Sequence, residues 1–146
     1  MKVLVFYTKK FSYTTAEQNL ADEELELFYP DKNEIIHQGD HTNCITAFIQ
    51  VEAEDEEKGL KSREKKLANH LKWVARKNNT QSILLHSFAH LSTSKATLKF
   101  TADLLKATCA RLQNVNYEAS ITPFGFFLDL KMEAPGFSMA RVWSEL

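Results

Sequence analysis

Two short stretches hold residue types from which a site could be built. Ser87-Phe88-Ala89-His90-Leu91-Ser92-Thr93-Ser94 sets a histidine and a run of hydroxyls behind an apolar segment. Pro123-Phe124-Gly125-Phe126-Phe127 sets three aromatic rings around a proline and a glycine. A loop histidine can hold a polar group or move a proton near neutral pH. Hydroxyls ahead of a helix cap it, and the free amides of such a turn favour a phosphate or a developing oxyanion. Glycine opens the backbone to close approach, and aromatic faces stack on nucleic-acid bases. Together the two stretches predict a pocket for a planar ring with a small polar group beside it. The plainer alternative is a capped helix with a surface histidine, and a set of core aromatics.

Other candidates are weaker. His86 and His90 are four apart, but one falls in a strand and the other beyond its end, and no third ligand has suitable spacing, so no metal is expected. Cys44 lies in an apolar strand, where cysteine is usually a small core residue. Lys58, Lys61, Arg63, Lys65, Lys66, Lys72, Arg76 and Lys77 cluster on one helix, either as a solvated face or as a track for a phosphate backbone.

The elements that must position these residues follow from the apolar pattern. Val3–Tyr7 reads as a buried strand, Thr42–Val51 as a second and Ser82–His86 as a third. A long amphipathic helix is predicted from Asp55 to Asn78, striped by Leu60, Leu67, Leu71 and Val74, and another from Ser94 to Gln113. The capping residue of the latter is expected among Ser92, Thr93 and Ser94. Tyr117–Ile121 and Phe126–Met132 read as strands leading to a short tail. Residues 11–40 are polar and acidic, with weak strand signals at Glu24–Tyr29 and Glu34–His37. This order predicts one layered α/β domain over residues 1–146, with both helices on one side of a mixed sheet.

With 44% apolar and 25% charged residues, the 146-residue chain excludes a disordered class. No apolar run is long enough to span a bilayer. The apolar run after Met1-Lys2 is shorter than a signal-peptide core and lacks a cleavage site. Cys44 and Cys109 make neither a metal motif nor a disulfide framework, so a cytoplasmic setting is expected. The net charge of −1 hides an asymmetry: residues 1–57 carry 13 acidic and 4 basic side chains, and residues 58–146 carry 6 and 14. Such a split presents a positive face to a polyanion, or two well-solvated surfaces.

Phe88-Ala89-His90-Leu91-Ser92 before a helix, followed by Pro123-Phe124-Gly125-Phe126-Phe127, resembles the N-terminal editing domain of archaeal threonyl-tRNA synthetases. That domain is similar in fold to the D-aminoacyl-tRNA deacylases. The likeness extends to Met1–Leu4, to Ala47–Glu52 and to Gly136–Val142, and is weakest over residues 11–40. It implies hydrolysis of serine mis-attached to threonine-specific tRNA, aided by the ribose 2′-hydroxyl and a water, with no cofactor. By motif position Val51, Ala89 and Phe124 would line the adenosine pocket, and His90 would hold the aminoacyl end. Backbone amides near Phe126 and Phe127 would contact the substrate. The implied partners are the aminoacylated 3′ end of a tRNA, a threonyl-tRNA synthetase and a second copy of the chain. Phe137, Met139, Val142 and Trp143 would serve that dimer interface or the core.

Four positions depart from the family pattern. Leu128 stands where the family has a lysine, Arg141 where it has a glutamate, Ser87 where it has a proline, and Phe127 where tyrosine is common. Loss of the cation and the carboxylate leaves three readings open. They are hydrolysis driven by the RNA hydroxyl and backbone groups, a changed amino-acid preference, or binding alone, as a tRNA 3′-end or synthetase accessory module. A small-molecule pocket with no RNA partner is a further alternative.

Overall fold

The computed structural model describes all 146 residues, Met1–Leu146. Its strands are β1 (Lys2–Gln18), β2 (Gln38–Gln50), β3 (Ser82–Ser87), β4 (Glu118–Ile121), β5 (Phe126–Glu133) and β6 (Arg141–Glu145). Its helices are α1 (Asp22–Phe28), α2 (Ala53–Lys58), α3 (Leu60–Lys77) and α4 (Leu98–Gln113). The strands form one mixed sheet in the order β4-β3-β2-β1-β5, with β6 also paired to β1.

The long first strand organises the sheet. Along its first half β1 lies between β2 and β6, and along its second half between β2 and β5. Asn43 stands opposite Lys9, between the pairs Thr8–Cys44 and Lys10–Thr42, in the left-handed region at φ 48°. Past this point the inward residues of β1 join a different cluster. Val3 and Val5 pack on the helix side with Ile45, Ala47, Ile49, Ile83 and Leu85 of the sheet, and with Leu67, Leu71, Leu104 and Leu105 of α3 and α4. Phe11 and Tyr13 pack on Cys44, Phe48 and Leu84, with Phe88, Leu91 and Leu128 laid over them. Both long helices lie on one side of the mixed sheet, as the alternating pattern predicted.

The structure redraws several boundaries. The expected strand Val3–Tyr7 runs on to Gln18, because the polar half of β1 is held by β2 on one edge and β5 on the other. The strand signal at Glu24–Tyr29 is a helix: three acids in its first turn suit the helix dipole, and Leu25 is its buried contact. At Glu34–His37 there is no strand: Glu34 ends a 3₁₀ turn, Lys32–Glu34, and residues 35–37 lead irregularly into β2. The single helix expected over 55–78 is split at Gly59, whose φ of 87° few other residues adopt. Helix α4 starts at Leu98 rather than Ser94, and its cap is Thr97, whose Oγ1 accepts from the Phe100 amide at 3.2 Å. The tail is a strand: the apolar residue Val142 packs against the core, and the β1 edge leaves room for it.

Candidate functional site

The parallel strands β2 and β3 end together, with Ile49 opposite Ser87, and the chain leaving β3 folds back across them. The Phe88 amide bonds Ile49 O at 2.9 Å and the Ala96 amide bonds Val51 O at 3.0 Å. Between them the loop is held by Gln50, a buried side chain at the end of an apolar strand. Its Oε1 accepts from the Leu91 and Ser92 amides at 2.6 and 2.7 Å. Its Nε2 donates to Ser92 O and Ser94 O at 2.8 and 2.9 Å. One side chain thus satisfies four backbone groups that would otherwise be desolvated without partners.

A second tie crosses the same loop. Ser92 Oγ donates to Glu52 Oε2 at 2.6 Å, and Glu52 Oε1 meets the Met1 ammonium at 2.7 Å. Burial alone would raise the Glu52 carboxyl, but the hydrogen bonds from that ammonium and from Ser92 outweigh it and hold it at about 2. These ties overturn the expectation of an anion-binding turn at Ser92–Ser94. The Leu91 and Ser92 amides serve Gln50, the Ser94 amide donates to Ser92 Oγ at 3.1 Å, and the helix begins further on.

The aromatic turn enters from the other side. Gly125 takes φ 91°, and a Cβ there would lie 2.6 Å from Leu25 Cδ1. Its carbonyl accepts from the Asn19 and Leu20 amides at 2.7 and 3.3 Å. Phe124 stacks on Phe28 at 5.8 Å between centroids, and its amide donates to the Tyr29 hydroxyl at 2.8 Å. The connection from β1 to β2 therefore builds the floor under this turn.

Loop and turn face one another across a cleft of about 220 Å³. Ser87, Ala89, His90, Phe124, Gly125, Phe126, Phe127 and Leu128 all line it, together with Asn19, Leu20, His86, Phe88, Leu98, Pro123 and Leu130. A depression of about 80 Å³ opens beside it, where Val51 joins Ser87, Ala89, Leu98 and Phe124. Eight of the ten residues singled out from the sequence thus share one cleft, and Val51 lies next door. Arg141 stands outside. It pairs with Phe6 on β1, whereas Leu128 pairs with Thr15, and its guanidinium donates to Pro135 O at 2.8 Å.

Several groups in or beneath the cleft were not expected there; His86 was weighed only as a metal ligand. His86 is buried in the cleft wall, with Nδ1 2.8 Å from Thr122 Oγ1 and its ring edge-on to Phe48. Burial pulls its pKa down to about 4, so the imidazole is neutral near pH 7. Gln50 and His86 shared one signal, a polar residue closing an otherwise apolar strand. Asn19 and Leu20 carried none, and Tyr29 closed a weak strand signal where the structure has a helix. Phe124 is almost fully enclosed, while Phe127 is 47% exposed and offers a free ring at the rim. Cys44 is buried and its thiol is pushed up by burial, which removes it as a nucleophile.

A family model for the Archaea-specific editing domain of threonyl-tRNA synthetase matches residues 1–146. The chain belongs to this editing-domain family. Similar proteins include the threonine–tRNA ligases of Methanosarcina mazei, 27% identical over 142 residues, and Staphylothermus marinus, 25% identical over 143. Each match covers 97% of this chain but only 21% and 22% of those ligases, so the chain spans about a fifth of their length. Among solved structures, the c-Myc DNA Unwinding Element Binding Protein is similar in fold, with a TM-score of 0.57 and 15% identity over 100% of this chain and 99% of that one. The editing-domain assignment and the layered α/β fold agree with the resemblance carried by the two site stretches. No helix is long and apolar enough to cross a membrane.

Proposed function

We propose that the cleft hydrolyses the ester joining an amino acid to the terminal adenosine of a tRNA, a proofreading step on serine attached to threonine-specific tRNA or on a related ester. The observation that carries this reading is the convergence of the Ser87–His90 loop and the Pro123–Phe127 turn on one cleft, in a chain of the editing-domain family. Water would add to the ester carbonyl carbon. The bond from that carbon to the ribose oxygen would then break, and the proton lost by the water would pass to that oxygen. An ester needs a positioned water and oxyanion donors rather than a protein nucleophile. Val51, Ala89 and Phe124 would line the nucleoside, His90 would hold the aminoacyl end, and the backbone near Phe126 and Phe127 would face the reacting carbonyl. The neighbouring ribose 2′-hydroxyl would orient the water.

A second reading is favoured by the wall formed by Leu128 and Leu130, which is apolar where the family has a lysine. On that reading the protein binds the tRNA 3′ end, or serves a threonyl-tRNA synthetase, without cleaving. Either role suits a cytoplasmic protein of one domain acting as a homodimer, for which Phe137 and Trp143, 49% and 56% exposed, are the candidate contacts. Single-turnover incubation of the purified chain with Ser-, Thr- and D-aminoacyl-tRNA separates the two. Release of one amino acid faster than its spontaneous hydrolysis supports the first reading, and binding without release supports the second.

A further inference from the structure

Helix α3 turns one continuous arc toward solvent, on which Lys61, Lys65, Lys66, Lys72, Arg76 and Lys77 are interleaved with Ser62, Asn69 and Trp73. No carboxylate lies on this arc. The one acid of the helix, Glu64, sits off it and accepts from Arg111 Nε at 2.8 Å. Arg63, the other basic residue of the helix, is buried against Asp55 at 3.4 Å. None of the six arc cations has a carboxylate partner, whereas Lys58 and Lys99 on α2 and α4 pair with acids four residues away. A solvated helix face ordinarily mixes signs, and like charges four apart, as at Lys61/Lys65 and Lys72/Arg76, oppose helix formation. The arc keeps that unfavourable pattern over the whole helix.

We propose that this arc is a docking surface for the phosphate backbone of an RNA duplex, the arm of a tRNA whose 3′ end enters the cleft. This rests on the tRNA reading of the cleft. Lys61 to Arg76 extends roughly 22 Å at 1.5 Å per residue, enough to meet several successive phosphates. Ser62 and Asn69 add neutral hydrogen-bonding groups suited to phosphate and sugar, and Trp73 adds a flat ring, 40% exposed. Helix α3 starts at the end of the sheet where the cleft opens, since it follows β2 and leads back to the start of β3. The arc and the cleft share no residue, so they form two separate contact areas for one RNA. A lipid surface fits poorly, because the apolar stripe that would enter it (Leu67, Leu71, Val74) is spent in the core. A protein interface fits poorly as well, because such interfaces are depleted in lysine.

Two RNA probes test the proposal across a salt series, with wild type, Lys65→Glu/Lys72→Glu and the milder Lys65→Gln/Lys72→Gln. One is a blunt duplex, the other a short single strand ending in CCA. The expected result is salt-dependent duplex binding whose log–log slope flattens by about one to two in either double variant, roughly 0.9 for each phosphate no longer neutralised. Duplex affinity should fall at least tenfold at low salt, while affinity for the CCA strand stays unchanged and circular dichroism shows intact folds. Equal slopes in wild type and both variants overturn the proposal. Weakened binding to anionic phospholipid vesicles, with duplex binding unaltered, also overturns it. Failure of the CCA strand to bind, with the duplex still binding through the arc, sinks the cleft reading and leaves the docking surface standing.

Discussion

The Tyr29 hydroxyl accepts the Phe124 amide at 2.8 Å, joining the end of α1 to the turn that walls the cleft. The ring behind that hydroxyl packs against the main core, and burial raises the phenol above its ordinary pKa. The bond fixes the height of the aromatic turn from below.

Replacing Tyr29 with phenylalanine keeps the packing and leaves the Phe124 amide without its acceptor, at a cost of about 1–3 kcal/mol. Urea denaturation should show that loss, and affinity for a CCA-ending strand should drop with it. An unchanged midpoint would mean that the turn holds its shape without the bond.

Phe124 and Phe127 should behave oppositely. Phe124 is enclosed and stacked on Phe28, so Phe124→Ala opens a cavity and costs about 3–5 kcal/mol of stability. Phe127 is half exposed at the rim, so Phe127→Ala should leave the melting temperature nearly unchanged. If its ring stacks on a base, that variant weakens the CCA strand by about 1–3 kcal/mol. Full affinity in folded Phe127→Ala removes the ring from the binding surface.

Gln50 is tested by changing its amide. Gln50→Glu keeps two acceptors but sets a carboxylate oxygen against the Ser92 and Ser94 carbonyls. Gln50→Met removes all four bonds at similar volume. Both should accelerate hydrogen exchange at Leu91 and Ser92, and both should destabilise, by at least about 2 kcal/mol for methionine, which strands buried polar groups. Exchange at wild-type rates would show that Phe88 and Ala96 suffice to hold the loop.

Leu128→Lys asks what the apolar wall does. A cation near the reacting carbonyl in an enclosed site is worth roughly 2–4 kcal/mol of barrier, so deacylation of Ser-tRNA should rise if the cation is what the cleft lacks. A slower reaction in the variant, from a wild type that already cleaves, would mean that the wall is shaped for a different amino acid. Arg141 stands apart from Leu128 along β1, so reversing its charge should have little effect on this comparison within one chain.

His86 sets an acid limit. Its folded pKa of about 4 lies below the 6.5 of an unconstrained imidazole, so the unfolded chain takes up the proton first as pH falls. Stability from this group is complete above about pH 6.5 and is lost as pH falls toward 4, by at most about 3 kcal/mol. His86→Asn should flatten that part of the stability curve. Glu52, held at about 2, acts lower, losing its contribution as pH falls below 4.5. Equal slopes for wild type and His86→Asn between pH 6.5 and 4 would reassign the acid sensitivity to other groups.

The sequence by itself determined the layered α/β class and the helix-side core, because Val3, Ile45, Leu67, Leu71 and Leu105 repeat at the periods of strand and helix and find apolar partners in any arrangement of those elements. It also marked both walls of the cleft, since a histidine behind a buried strand and a glycine among aromatics are local signals. Tertiary structure decided what local pattern does not encode. The polar half of β1 is a strand only because β2 and β5 supply its ladder from both edges. The acidic segment after it is a helix because Leu25 and Tyr29 find the turn at Gly125 and Phe124, about a hundred residues on. Ser92 and Ser94 read as caps by type, yet Gln50 and Glu52, brought beside them by the pairing of β2 with β3, take their groups instead. Hydrogen bonds between residues distant in the chain leave no periodic trace, and the floor of the cleft is made of them.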